Sequence, residues 1–272
     1  MKQRGYENFL QVLQTDVLTH PIIQNNRYTK WFEKGEFSLD HLRSFTVQFS
    51  VFSNIFLIAQ LKKMINAESL EEMRSAKEIL ANEIGVVFKK RTPETKESLQ
   101  KRFHSMEEEG DPELVNTEGS VDGGVFQFRA AHFEWLLHFA KPLGLGFKDL
   151  GKRKQGSDST LHFVDTLEKV YGSADFSTAA GGSFGVENWA AAGFWKELVS
   201  GLKIFREREG LKLPLGFFTW HDKVEDQHAA FTHEELKSIY GLEGFDEDTF
   251  LRASQEVLEA IAVFWNGLLI SR

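Results

Sequence analysis

The feature that most limits what this chain can become is a three-and-four spacing of apolar residues, sustained over segments too long for strands. It is clearest after Ser38-Leu-Asp-His-Leu42, where Phe45, Phe49, Phe52, Ile55, Phe56 and Ala59 follow Leu42 on one side of a helix. The same period runs through Ser69-Leu-Glu-Glu, a capping-box start, to Met73, Ala76, Ile79, Leu80 and Glu83. It returns over about 125–143 and 159–171, from Gly181-Gly182 past Leu202, through 219–228, and over 246–269; Thr232-His-Glu-Glu235 reads as the cap of a further short helix. Proline is scarce, at 5 in 272 residues, and alternating strand-type runs are nearly absent. The expectation is an all-α fold of about seven main helices.

Composition removes several functional classes. A net charge of −8 without a long Lys/Arg run argues against nucleic acid as a partner. With no cysteine there are no disulfides, no thiolate ligands and no Cys nucleophile, which leaves His, Asp and Glu for any metal chemistry. The N-terminal MKQRGYENFLQ carries no signal-peptide pattern, so the cytoplasm is the default expectation. The apolar run Ala260–Ile270 is too short to span a bilayer, and no membrane span is expected.

No internal repeat or linker divides the chain, so residues 1–272 read as a single domain. The one break lies at about 86–124, where charged stretches such as Lys89-Lys-Arg-Thr-Pro-Glu and Glu107-Glu-Glu-Gly-Asp-Pro read as a charged insertion of exposed loop, or alternatively as a lid.

Two imidazoles and a carboxylate share one face within Thr219-Trp-His-Asp-Lys-Val-Glu-Asp-Gln-His228: His221, Glu225 and His228 fall within roughly 60° of helical arc. Alone, such a triplet is either part of a metal site or a solvated face, with Asp222 and Asp226 flanking it. Context comes from polar residues in apolar surroundings on other helices. Glu83 continues the Ile79–Leu80 face, Glu187 is the only acid between Phe176 and Trp195, and His132 sits among Phe128, Ala131, Trp135 and Leu136. A charge buried in such company must pair, protonate or bind a cation.

Set in order, these residues resemble the heme-oxygenase-like di-iron oxidases and oxygenases, a superfamily that includes the thiaminase-II and pyrroloquinoline-quinone synthase folds. The matching positions are Asn82-Glu83-Ile-Gly85, His132-Phe-Glu-Trp-Leu-Leu137, Glu187, and the His-x3-Glu-x2-His set His221, Glu225 and His228; His20-Pro21 and Gly35–Leu42 match the opening of that fold. The resemblance covers nearly the whole chain. In the family the first Glu and first His share one helix, whereas here 49 positions separate Glu83 from His132, so the charged segment is read as an insertion within that element. Asp122, then Glu134, are the substitutes should Glu83 not belong.

The resemblance implies two Fe(II) ions held by Glu83, His132, Glu187, His221, Glu225 and His228, with O2 as co-substrate. It implies an oxidoreductase acting on a small organic molecule, amino-acid-derived or fatty, with a homodimer expected by analogy alone. Three carboxylates and three imidazoles form a hard O/N donor set suited to Fe(II). Phe49, Phe52, Phe56, Phe128, Trp189, Phe194 and Phe218 are candidate walls for an apolar pocket, most of them expected in the core, and Arg129 is a candidate anchor for a carboxylate. The alternatives are a metal-free thiaminase- or quinone-synthase-like enzyme, which the missing Cys disfavours in the thiaminase branch, and a ligand-binding or regulatory bundle. Heme ligation through His20 is set aside because His20 precedes Pro21 and reads as structural.

Overall fold

A computed structural model describes residues 4–89, 117–121, 124–128 and 131–270; the side chains of 71, 75, 78, 82, 86–89, 117–121, 124–128 and 224–235 fall outside that description. Helices α1 (Tyr6–Asp16), α2 (Pro21–Gln24) and α3 (Arg27–Phe32) lead into the long α4 (Leu39–Ile65) and α5 (Leu70–Glu83). Three short strands follow, β1 (Val86–Lys89), β2 (Thr117–Val121) and β3 (Gly124–Phe128). The remainder is helical: α6 (His132–Ala140), α7 (Asp158–Val170), α8 (Phe176–Ala190), α9 (Phe194–Glu209), α10 (Gly216–Ile239) and α11 (Glu247–Ile270).

Polar caps set several helix starts. Ser38 accepts the His41 backbone N–H at 3.1 Å ahead of α4, Asp175 accepts that of Thr178 at 2.8 Å ahead of α8, and Asp246 accepts that of Thr249 at 2.7 Å ahead of α11. His20 also caps: its Nδ1 accepts the Ile22 N–H at 3.2 Å, and its Nε2 lies 3.3 Å from the Glu259 carboxylate. That is the structural role expected of it.

Helix α4 packs against α5, α6 and α7, while α11 packs against α7 and α8. One apolar core runs from Phe9 to Leu268 and is built largely of rings, with Phe45, Phe49, Trp189 and Trp265 among those fully or nearly fully buried. By length and composition alone α4 is apolar enough to cross a bilayer, and half of its most apolar stretch is buried inside the fold. A helix walled by three others is apolar on several faces for that reason.

Helix α8 seats on α11 through glycines. A Cβ at Gly181 would stand 2.2 Å from the Phe250 carbonyl oxygen, and one at Gly185 would stand 2.6 Å from Val257 Cγ1. Ser254 Oγ seals the contact by donating to the Gly181 carbonyl at 2.8 Å. Glu187 lies two residues beyond Gly185, about 200° around the helix, so the close seat on α11 turns Glu187 the other way.

The small sheet corrects the sequence reading. The expected helix start at about Val125 is instead strand β3, and α6 begins at His132. Val125-Phe-Gln-Phe128 joins a β-branched residue to aromatics after two glycines, which suits a strand at least as well as a helix, and pairing on both sides decides it. Part of the segment read as exposed loop is therefore paired. The order is β1-β3-β2, antiparallel throughout, with Val86 opposite Phe128 and Thr117 opposite Phe128 on the other side. Two further differences are helical. The segment read as one helix after Gly181 is two, α8 and α9, broken at Gly193 with φ +89°, and α10 runs through Thr232 without a new start.

Replacing Gly181 by Ala should destabilise the fold by about 1–3 kcal/mol in denaturant unfolding, despite the ~1 kcal/mol that Ala gains over Gly in helix propensity. An unchanged or stabilised variant would contradict the close α8–α11 seat.

Candidate metal centre

Four elements bring polar side chains to one buried place. Glu83 is the last residue of α5, followed by the turn at Gly85 with φ +74° that frees the chain to enter β1. His132 is the first residue of α6, directly after β3. His221 lies in the second turn of α10, and Glu187 in the last turn of α8. Because Val86 pairs with Phe128, the sheet closes the 49-residue separation and returns the chain to α6 beside the end of α5.

The result is a cluster in which one ligand atom each from Glu83, His132 and His221 lies within 4.8 Å of the others. The two imidazoles are 5% and 8% exposed. His132 Nδ1 is 2.8 Å from Glu83 Oε2, within ion-pair range, but the two are not aligned as a hydrogen bond, and Nδ1 is a buried nitrogen without one. The His132 and His221 rings meet edge to face at 4.7 Å.

The tautomer of His221 follows from its partner. Its Nδ1 lies 2.7 Å from the Phe217 carbonyl oxygen, which can only accept, so Nδ1 carries the proton and Nε2 carries the lone pair in the neutral ring. Trp195 stacks on the imidazole at 4.5 Å and 19°, and Phe217 and Trp220 pack at 4.3 and 5.1 Å. Three rings thus hold the imidazole in place and keep water from it.

A cavity of about 100 Å³ opens on these residues. Glu83, His132, His221 and Glu187 all line it, so four of the six expected ligands share one space. Helix α10 continues through Glu225 and His228, whose side chains lie outside the described residues. Of the substitute acids, Asp122 lies outside the described residues, and Glu134 is exposed and accepts the Ala131 N–H at 2.6 Å, a cap for α6.

Phe49, Phe52, Phe56 and Trp189 line the cavity as pocket candidates should, whereas Phe194 and Phe218 are buried without reaching it, and the side chains of Phe128 and Arg129 lie outside the described residues. Sequence reasoning missed Trp195, Phe217 and Trp220, although Trp220 adjoins His221 and Phe217 precedes it by one helical turn. It also missed Gln60, one turn beyond Phe56 on the same face of α4.

No protein-family model matches the chain, and no curated protein does. Solved structures do. A TenA homologue from Pseudomonas syringae superposes with a TM-score of 0.65 at 9% identity, covering 96% of this chain and 92% of that one. A CADD-like protein of unknown function from Nostoc punctiforme gives 0.59 at 15% identity, covering 97% and 95%. A domain of unknown function with a heme oxygenase-like fold from Shewanella denitrificans gives 0.56 at 14% identity, covering 100% and 94%. At such identities the likeness is one of fold, and the chain has the all-α, heme-oxygenase-like helical fold expected of it, with the small sheet added.

Nitrogen-15 NMR of the histidine rings in metal-free protein at neutral pH should show His221 as the Nδ1–H tautomer. A ring protonated at Nε2 alone would break the Phe217 assignment.

Proposed function

We propose that this chain is a non-heme di-iron protein, an oxidoreductase that uses O2 to oxidise a small organic molecule. The observation that carries the proposal is the meeting of Glu83, His132 and His221 in a buried cavity, with His132 Nδ1 close to a carboxylate oxygen yet making no hydrogen bond to it. A nitrogen and an oxygen in that relation suit two donors turned toward a shared cation. The donor chemistry fits iron, being imidazole and carboxylate without thiolate.

In this reading Glu83, His132, Glu187, His221, Glu225 and His228 are the ligands, and their three carboxylates offset most of the four positive charges of two Fe(II) ions. The Phe217 carbonyl fixes the His221 tautomer that leaves Nε2 as donor, the outer-shell device common at metal-bound imidazoles. Trp195, Phe217 and Trp220 shield the ring from water. When bound, the iron pair would supply O2 reduction and an oxidant for substrate; the chain supplies position, dryness and the cavity in which substrate lies. We further read residues 1–272 as one domain, which the continuous core from Phe9 to Leu268 supports. A cytoplasmic protein, with a homodimer by analogy, completes the proposal.

The likeness to a TenA homologue favours a second reading, a metal-free enzyme acting on a small organic ligand in the same cavity. The absence of cysteine removes the thiolate nucleophile that such an enzyme would ordinarily use.

Metal counting separates the two. After anaerobic Fe(II) addition and desalting, the parent should retain two irons per chain and give a transient visible absorption on exposure to O2. The variants His132→Ala, His221→Ala and Glu83→Gln should bind iron at least about tenfold more weakly, since even outer-shell losses cost that much. No uptake by the parent, or equal uptake by the variants, would sink the di-iron reading.

A further inference from the structure

Most aromatic rings in this chain are Phe, at 25 against 6 Trp and 4 Tyr, so a run of neighbouring rings filled without regard to type would meet Phe at most steps. One run leading away from the cavity does not. Trp189 of α8 lines the cavity two residues after Glu187, and its ring lies 6.3 Å from Trp265 of α11. Trp265 lies 5.3 Å from Tyr28 of α3, and Tyr28 lies 5.7 Å from the half-buried Trp31. Trp195, stacked on His221, joins the run through Phe194, which is 4.6 Å from Trp195 and 5.5 Å from Trp265. Indole and phenol give up an electron far more readily than a phenyl ring, and electron transfer falls off steeply with distance. Successive contacts of this kind make a path for single electrons.

The rings on this path differ in what becomes of the proton. Losing an electron makes indole and phenol strong acids, so the charge settles where a base takes the proton and moves on where none does. The indole N–H groups of Trp189, Trp195 and Trp265 are buried and meet no hydrogen-bond acceptor among the described residues. Tyr28 does meet a base: its hydroxyl lies 2.8 Å from His41 Nε2, and both residues are buried. The phenol is the donor, because an imidazole lone pair accepts better than a phenol oxygen, and Nε2 is then the atom that can receive the proton. Burial pushes the phenol well above its ordinary value, so Tyr28 keeps its proton until an electron leaves. The Tyr171 hydroxyl, by contrast, meets the Gln60 amide, which takes up no proton.

We propose that Tyr28 is a redox-active tyrosine, the end of a one-electron path that draws an unspent oxidising equivalent out of the cavity. In this step one electron leaves Tyr28 and passes by way of Trp265 and Trp189 to a metal-centred one-electron oxidant formed with O2, which is reduced by one electron. The hydroxyl proton moves to His41 Nε2, so an O–H bond breaks, an N–H bond forms, and a neutral tyrosyl radical stands beside an imidazolium. An oxidant that meets no substrate is thus quenched without damage to His132, His221 and the rings around them. The oxidant rests on the di-iron reading, whereas the path and the Tyr28–His41 pair do not.

The chain has no cysteine, so Lys223→Cys, at an exposed position on α10 two residues past His221, takes a single thiol-reactive ruthenium photosensitiser. The labelled full chain, freed of metal, is flashed in the presence of a sacrificial electron acceptor, which turns the label into the one-electron oxidant, and radicals are followed by transient absorption and EPR. The labelled chain should give a tyrosyl radical that is lost in Tyr28→Phe and kept in Tyr171→Phe. His41→Gln, which can accept the hydrogen bond but not hold the proton, should slow its formation by about 100-fold, the low end for a positioned proton acceptor. Trp189→Phe and Trp265→Phe should each slow it too, so the path stays testable if one of them does not fold. A tyrosyl radical that survives Tyr28→Phe, or that forms as fast in His41→Gln or in the Trp variants, would overturn the proposal. So would an oxidised label that yields no tyrosyl radical. Because the label supplies the oxidising equivalent, failure here leaves the di-iron reading standing, and failure of iron uptake leaves this result intact.

Discussion

The antiparallel pairing of β1 with β3 is the contact on which the site depends. Glu83 and His132 are far apart in sequence, and neither helix that carries them has any local reason to find the other. The register Val86 opposite Phe128 removes the problem, since three residues before Val86 is Glu83 and four residues after Phe128 is His132. Backbone hydrogen bonds across about 4.8 Å then hold the end of α5 and the start of α6 side by side. These hydrogen bonds form a neck between the end of α5 and the start of α6.

What surrounds that neck is rigid for reasons of packing. Helix α8 approaches α11 so closely that Gly181 and Gly185 admit no Cβ without displacement, which fixes the rotation of α8 and thereby the direction of Glu187. On the opposite side, His221 is held by the Phe217 carbonyl along one axis and by the Trp195 face across the other. Such orientation before any ligand arrives is what a metal-binding or catalytic centre needs, because a side chain already in place loses little freedom on binding.

The helices were legible because Phe45, Phe49, Phe52 and Phe56 repeat at the period a buried helix face requires. The candidate ligands were legible because an acid or imidazole among apolar neighbours, as at Glu83, Glu187 and His132, is costly unless it has a task. The sheet was not, since Val125-Phe-Gln-Phe128 fits either period over so few residues and its pairing partners lie far away in sequence. Nor were Trp195 and Gln60 distinguishable from core residues: spacing shows which face of a helix is buried, whereas only the packed structure shows whether that face meets another side chain or an open cavity.

The account stands on Glu83, His132 and His221 acting together as one ligand set across α5, α6 and α10. Anomalous diffraction at the iron edge from crystals soaked anaerobically in Fe(II) tests this directly. Iron peaks within bonding distance of Glu83, His132 and His221 in the cavity beside Glu187 are the result the account predicts. Iron bound elsewhere, or an ordered cavity in which Glu83 and His132 share a proton and hold no metal, would contradict it.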